Sequence, residues 1–365
     1  MICFTKRGAW ICRRLFHKLR EAGDECEAVV PERFLREEWK KEGLKEREDE
    51  SLSQWTGRMF AQKRAVIFIG AAGIAVRVIA PWVKDKMTDP PVVSVDEGAQ
   101  FVIPLLSGHV GGANELARRI ADWLDAIPVI TTATDVNGKF AVDLFATAYH
   151  MEITDRKAAK NIAAAVLEGK NIGVFSDLPL ETLPEGFISE KHCEKNIQIT
   201  VKTETMPDSL RLVPRAVILG VGCRRGTDPE CMKTKVLAFL KEHKIDPLAV
   251  KAIASVDVKR DEPAVLELKT AFDSEQSCEQ RFYTPEQLSQ VPGDFKESAF
   301  VKKQIGVGNV CERSACAAGG TLLAGKQAGE GITIAAALEW TGELDFSKGF
   351  GAVNLRNKNN ALGSN

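Results

Sequence analysis

An excess of either charge is absent from this chain: 49 Lys and Arg against 50 Asp and Glu leave a net charge of −1 at pH 7. A protein that binds nucleic acid across its surface carries a basic stripe, so this balance speaks against that class. Apolar runs of bilayer length are missing too, and the longest mostly apolar stretch, 65–76, is broken by glycine. The opening segment from Met1 to Gly8 has no apolar core of signal-peptide type, which leads to the expectation of a cytoplasmic protein without a membrane partner. The 9 cysteines form no CxxC pair, and their odd number suits free thiols in a reducing compartment. A GxGxxG dinucleotide fingerprint and a P-loop lysine are lacking. No short-period repeat is visible.

What is present is the composition of a folded protein. Hydrophobic residues make up 44% and charged residues 27%, enough to bury cores and to exclude disorder over most of the length. At about 150 residues per domain the chain divides into two or three. The first 50 residues read as strand, helix, strand (26–30) and then a dense mixture of acids and bases over 32–50 that suits a solvated helix face or loop. A stronger block follows: a buried strand at 65–70, a helix at 71–83, and strands at 92–95 and 101–106. An amphipathic helix at 111–124 then places Ala113, Leu116, Ala117, Ile120, Ala121 and Leu124 on one face, before a strand at 128–132. The alternation weakens over 142–201, and the polar, proline-containing stretch 203–214 reads as a linker. A new unit opens with a strand at 216–220 and a helix at 228–243, and later offers a helix at 310–323. This pattern predicts an α/β protein with mostly parallel sheets. The expected division is a Rossmann-like or flavodoxin-like domain over 1–140, a middle segment and linker over 141–210, a separate α/β domain over 211–340 and a polar tail over 341–365.

Candidate chemistry gathers in turns where a strand hands over to a helix. Gly70, Gly73 and Arg77 form the first; there a backbone can approach a ligand and helix-start N–H groups attract anions. The most unusual stretch has Asp96 and Glu97 shortly before Ser107, Gly108, His109, Gly111, Gly112, Asn114 and Glu115. A histidine in a turn after a buried strand can project into a cleft and move protons near neutrality, with a carboxylate to orient it. Thr131, Thr132 and Asp135 end the next strand, where hydroxyls contact a ligand or cap a helix. Gly222, Arg224 and Arg225 form a further glycine-led turn whose arginines suit carboxylate or phosphate, and Ser255, Asp257 and Lys259 follow the next strand. Cys311 and Cys316 lack the spacing and partners of a zinc site. The expectation is that these turns share the ligand edge of open α/β sheets and hold a large, polyanionic or two-sided ligand.

The stretches FIGAAGIAVRVIAPWVKDK, VVSVDEGAQFVIPLLSGHVGGANELARRIA and PVITTATD resemble the N-terminal region of the CbiG family of cobalt-precorrin-5A hydrolases. ILGVGCRRGT, IASVDVKRDEPAVLEL and GVGNVCERSACAAGG resemble its C-terminal domain, which is similar to the stand-alone CobE protein. The resemblance runs over most of the chain and is least distinct in the middle. It implies a reaction of cobalamin biosynthesis on a cobalt-bearing, ring-contracted tetrapyrrole. The δ-lactone between the ring A acetate and the meso carbon is opened, and that carbon leaves with its methyl as acetaldehyde, giving cobalt-precorrin-5B. Cobalt then belongs to the substrate, and no cofactor or protein metal site is expected. The implied partners are cobalt-precorrin-5A, with room for other enzymes of the pathway and for a homodimer. On this reading His109 is the base and Glu115 or Glu97 orients it or serves as the acid. Backbone N–H groups of Gly111 and Gly112 stabilise the oxyanion. The remaining turn residues bind substrate in a cleft between two domains. Two other readings stand beside it: a nucleotide or sugar-phosphate enzyme, disfavoured by the missing fingerprints, and a non-catalytic corrinoid carrier, disfavoured by the polar density around His109.

Overall fold

The run Val66–Ile69 is apolar at every position and becomes a strand buried along its whole length, as a parallel strand covered on both faces must be. It is β2 of a five-stranded sheet ordered β1-β2-β3-β4-β5, with β1 at Ile2–Cys3, β3 at Val92–Val95, β4 at Phe101–Leu106 and β5 at Ile127–Pro128. Side chains alternate across it. Ile67 and Ile69 face a core shared with the helices Lys6–Glu21 and Ala113–Leu124, while Val66 and Phe68 face Trp55 and Met59 of the helix Leu52–Ala61 and Ala75 and Ile79 of the helix Ala72–Ile79. The computed structural model describes residues 1–47, 49–85, 88–109, 111–273 and 277–351, apart from the side chain of Phe300.

Strand direction decides where the turns go. β1, β2 and β3 are mutually parallel, but β4 runs antiparallel to β3, and β5 is parallel to β4. Turns after β2 and β3 therefore lie at one sheet edge, and turns after β4 and β5 at the opposite edge. The six residues of β4 separate those edges by roughly 17 Å at about 3.3 Å per residue. This corrects the expectation of one shared ligand edge: Gly70, Gly73, Arg77, Asp96 and Glu97 belong to one edge, and Ser107 to Asn114 with Thr131 to Asp135 to the other.

Contacts divide the chain into two units, Met1–Lys139 and Phe140–Phe350, with Gly351 grouping with the first. The second unit holds two sheets. One is ordered β6-β10-β9-β7-β8, from Met151–Ile153 (β6), Ile172–Ser176 (β7), Phe187–Ser189 (β8), Lys195–Ile199 (β9) and Ser209–Pro214 (β10). The other is ordered β13-β12-β11-β15-β14, from Val217–Cys223 (β11), Val250–Val256 (β12), Glu279–Tyr283 (β13), Thr321–Gly329 (β14) and Ile332–Leu338 (β15). Parallel pairs predominate in the first two sheets, and β14 and β15 add an antiparallel ribbon to the third. Among the described residues no helix is long and apolar enough to cross a membrane.

Several element readings are corrected. The linker 203–214 contains β10, whose Leu210, Leu212 and Val213 are buried; Pro207 precedes that strand and Pro214 is its last residue, so neither interrupts its ladder. The helix expected over 310–323 stops at Cys316, because Gly319 adopts φ +88 and the chain turns into β14. The strand expected at 26–30 reduces to single bridges at Val29. The tail is not polar throughout: Leu344 and Phe346 are buried in the core of the middle sheet. Its remainder, 352–365, lies outside the described residues.

Candidate active site

After β4 the chain folds tightly over itself. Ser107 takes φ +56 and its hydroxyl donates to Asp89 O at 2.8 Å. Gly112 N–H donates to His109 O, Ala113 N–H to Ser107 O and Asn114 N–H to Gly108 O, at 2.9 to 3.0 Å. A Cβ on Gly108 would stand 2.8 Å from Asn114 Oδ1, and one on Gly111 2.4 Å from Ser107 Cβ. Gly112, which precedes the helix Ala113–Leu124, needs the left-handed φ of +82. The glycines of this motif thus serve compactness, and what the compact loop achieves is the placement of His109.

His109 Nε2 lies 2.6 Å from Asp135 Oδ2. The same oxygen accepts from Asn114 Nδ2 at 3.1 Å, and Oδ1 accepts from Arg118 Nη2 at 2.5 Å. Asn114 also donates to Thr132 Oγ1 at 3.1 Å, and Thr134 Oγ1 stands 3.4 Å from His109 Nε2. The Asp135 side chain is 4% exposed and that of His109 12%. Burial works against the charged form of Asp135, yet the hydrogen bonds from His109 and Arg118 and their positive charge outweigh it and hold its carboxyl below the usual value. With Nε2–H donated to this carboxylate, the basic lone pair of a neutral His109 is on Nδ1. The arrangement is that of a general base oriented by a fixed anion.

Other expected roles fall differently. The carboxylate partner of His109 is Asp135, not Glu115 or Glu97: Glu115 is exposed and approaches Arg118 at 3.7 Å, and Glu97 is exposed at the opposite sheet edge. Gly112 N–H is already bonded to His109 O, which removes it from the expected pair of oxyanion donors. Asp96 accepts from Gly98, Gln100 and Phe101 N–H and so closes its own turn. The hydroxyls of Ser107 and Ser255 are buried on backbone carbonyls. The Asn114 amide is engaged by Asp135 and by the Thr132 hydroxyl, while Thr131, Gly73 and Arg77 are exposed. Gly70 packs against the Phe4 ring. Arg118 was not singled out by its sequence; its spacing of four from Asn114 along one helix is the signal that joins the two.

In the second unit the expected turns do share an edge, because β11 and β12 are parallel. Arg224 and Arg225 are exposed and form no ion pair with a described residue. Lys259 is 3.4 Å from Glu262, whose other oxygen accepts Gly226 N–H at 2.9 Å. Asp257 Oδ1 is buried without a hydrogen-bond partner among the described residues. Gly222 packs against Thr333 Oγ1. Each unit also has a cavity that sequence reading missed. One of about 1190 Å³ beside β1 is lined by Glu32, Glu46, Asp49 and Glu50 against Arg33 and Arg47, an acidic balance that suits a polyacid poorly, and the His109 loop does not line it. One of about 500 Å³ in the second unit is lined by Tyr149, Arg215, Lys251, Glu339 and Trp340; Glu339 takes Lys251 at 3.2 Å and also Arg281 at 2.5 Å.

Three family models match successive stretches of the chain. The family described as cobalamin synthesis G N-terminal matches residues 54–135, the cobalamin biosynthesis central region 140–214 and the cobalamin synthesis G C-terminus 217–337. A cobalt-precorrin-5A hydrolase of Salmonella typhimurium is 40% identical over 293 residues, covering 75% of this chain and 82% of that protein. One from Priestia megaterium is 31% identical over 310 residues, 77% of this chain and 80% of that protein. The solved structure of CobE, from the cobalamin (vitamin B12) biosynthetic pathway, aligns with 34% of this chain and 95% of its own at 30% identity and a TM-score of 0.31. With all three regions matched and two fifths of residues identical over three quarters of its length, the chain belongs to the CbiG family of cobalamin biosynthesis.

Proposed function

We propose that this protein is a cobalt-precorrin-5A hydrolase that opens the substrate δ-lactone and releases acetaldehyde to give cobalt-precorrin-5B. The identity to relatives bearing that name supports the reaction, and the 2.6 Å contact between His109 and Asp135 is the observation that carries the mechanism. Water attacks the lactone carbonyl while His109 Nδ1 takes its proton; the Asp135 carboxylate stabilises the imidazolium that results. Gly111 N–H donates to the oxygen that gains charge. Collapse of the tetrahedral intermediate breaks the acyl–oxygen bond, leaving a carboxylate on the ring A acetate and a hydroxyl on the meso carbon. Loss of the hydroxyl proton then turns that carbon into the carbonyl of acetaldehyde, and the electron pair of the broken C–C bond stays with the macrocycle. In the second unit, Arg224 and Arg225 are exposed and without an ion pair among the described residues, and their guanidinium groups have the chemistry to bind carboxylates.

Incubation with cobalt-precorrin-5A and mass-spectrometric detection of acetaldehyde tests the reaction. Stoichiometric acetaldehyde is expected; binding of the corrinoid without acetaldehyde would make the protein a carrier instead.

A further inference from the structure

The Asp135 carboxylate has its two oxygens assigned to different tasks. Oδ2 receives His109 and Asn114, and Oδ1 receives Arg118. The Arg118 side chain is only 15% exposed, with its Nε buried and unpartnered among the described residues, so its guanidinium is placed by the fold and not by solvent. Among the described residues its other terminal nitrogen reaches only the exposed Glu115, at 3.7 Å. The chain returns over this point: a Cβ on Gly351 would lie 2.2 Å from Asp135 Oδ1 and 3.5 Å from Arg118 Nη2, so that residue 351 lies against the same oxygen.

From these contacts we infer that Arg118 is a positioning residue, which fixes the plane of the Asp135 carboxylate through Oδ1 so that Oδ2 holds the His109 ring in one orientation. The inference rests on the hydrolase reading above only for its kinetic consequence. A carboxylate held at one oxygen alone rotates about its Cβ–Cγ bond, and the imidazole it orients loses its direction. A planar guanidinium on Oδ1 removes that freedom, and a flexible ammonium at the same place removes part of it.

The test is Arg118→Met and Arg118→Lys in the full chain, assayed for acetaldehyde release. Arg118→Met is expected to lower kcat roughly 10- to 100-fold with KM within about twofold, and Arg118→Lys to recover part of the loss. A second readout does not need turnover. The imidazole N–H proton shared between His109 and Asp135 is expected as a downfield, slowly exchanging NMR signal, weakened in Arg118→Met and retained in Arg118→Lys. An unchanged signal in Arg118→Met overturns the inference, as does a tenfold rise in KM at constant kcat, which would place Arg118 on the substrate. Wild-type protein that releases no acetaldehyde sinks the hydrolase reading alone, because the NMR comparison still decides the role of Arg118.

Discussion

At the scale of residues, the proposed chemistry turns on two side chains brought together across 26 positions of sequence, His109 and Asp135. His109→Ala is expected to abolish acetaldehyde release while circular dichroism and thermal unfolding stay close to wild type; turnover near wild type would remove His109 from the mechanism. Asp135→Asn keeps the shape but loses the anion, and kcat should fall by about 100-fold or more. The same carboxylate gives a pH dependence with a definite sign. Its folded-state pKa lies below the unfolded one, so its contribution to stability is complete above the unfolded value, about 4, and is lost as pH falls through the folded value. Urea unfolding from pH 7 to pH 3 should therefore show a steeper acid loss in wild type than in Asp135→Asn. Equal slopes would mean that the carboxylate is not held in its charged form. The histidine was legible in the sequence because a His among glycines is unusual. Its true carboxylate was read as a ligand contact, because the nearer Glu115 and Glu97 competed for the role and only folding shows that the helix turns Glu115 outward.

Among elements, direction and close approach matter more than propensity. A single reversal at β4 puts the His109 loop and the Gly70 turn on opposite sheet edges, and no hydrophobic pattern records strand direction. Close approach is plainer at Gly220 in β11, where a Cβ would lie 1.8 Å from the carbonyl oxygen of Cys311 at the start of the helix Cys311–Cys316. Backbone on both sides leaves little room to relax, so Gly220→Ala should cost about 3 kcal/mol of stability, measured by urea denaturation. A cost below about 0.5 kcal/mol would show that the helix packs elsewhere. Gly220 lies within β11 shortly before the Gly222–Arg225 turn, and its lack of a side chain serves this helix-on-strand contact. The missed β10 has a similar lesson: three buried aliphatics within a polar, proline-flanked stretch are too few to outvote the composition around them.

For the whole molecule, the described chain beyond the last strand is still part of a core. After β15 it returns to the middle sheet, and Phe346 stacks on Phe140 at 5.4 Å within an aromatic cluster that includes Phe145 and Phe187. Phe346→Ala is expected to destabilise the second unit by about 3–5 kcal/mol, seen as a lower midpoint of thermal unfolding. An unchanged midpoint would mean that the returning segment adds nothing to that core. Sequence alone determined the α/β class, the alternation of buried strands with amphipathic helices and the family, because hydrophobic periodicity and glycine-led motifs are local and survive in the order of residues. Tertiary structure alone decided which turns share an edge, which carboxylate meets His109 and which segment closes the middle core. Each of those depends on strand direction and on contacts between residues far apart in the chain, and a linear order of side chains does not contain them.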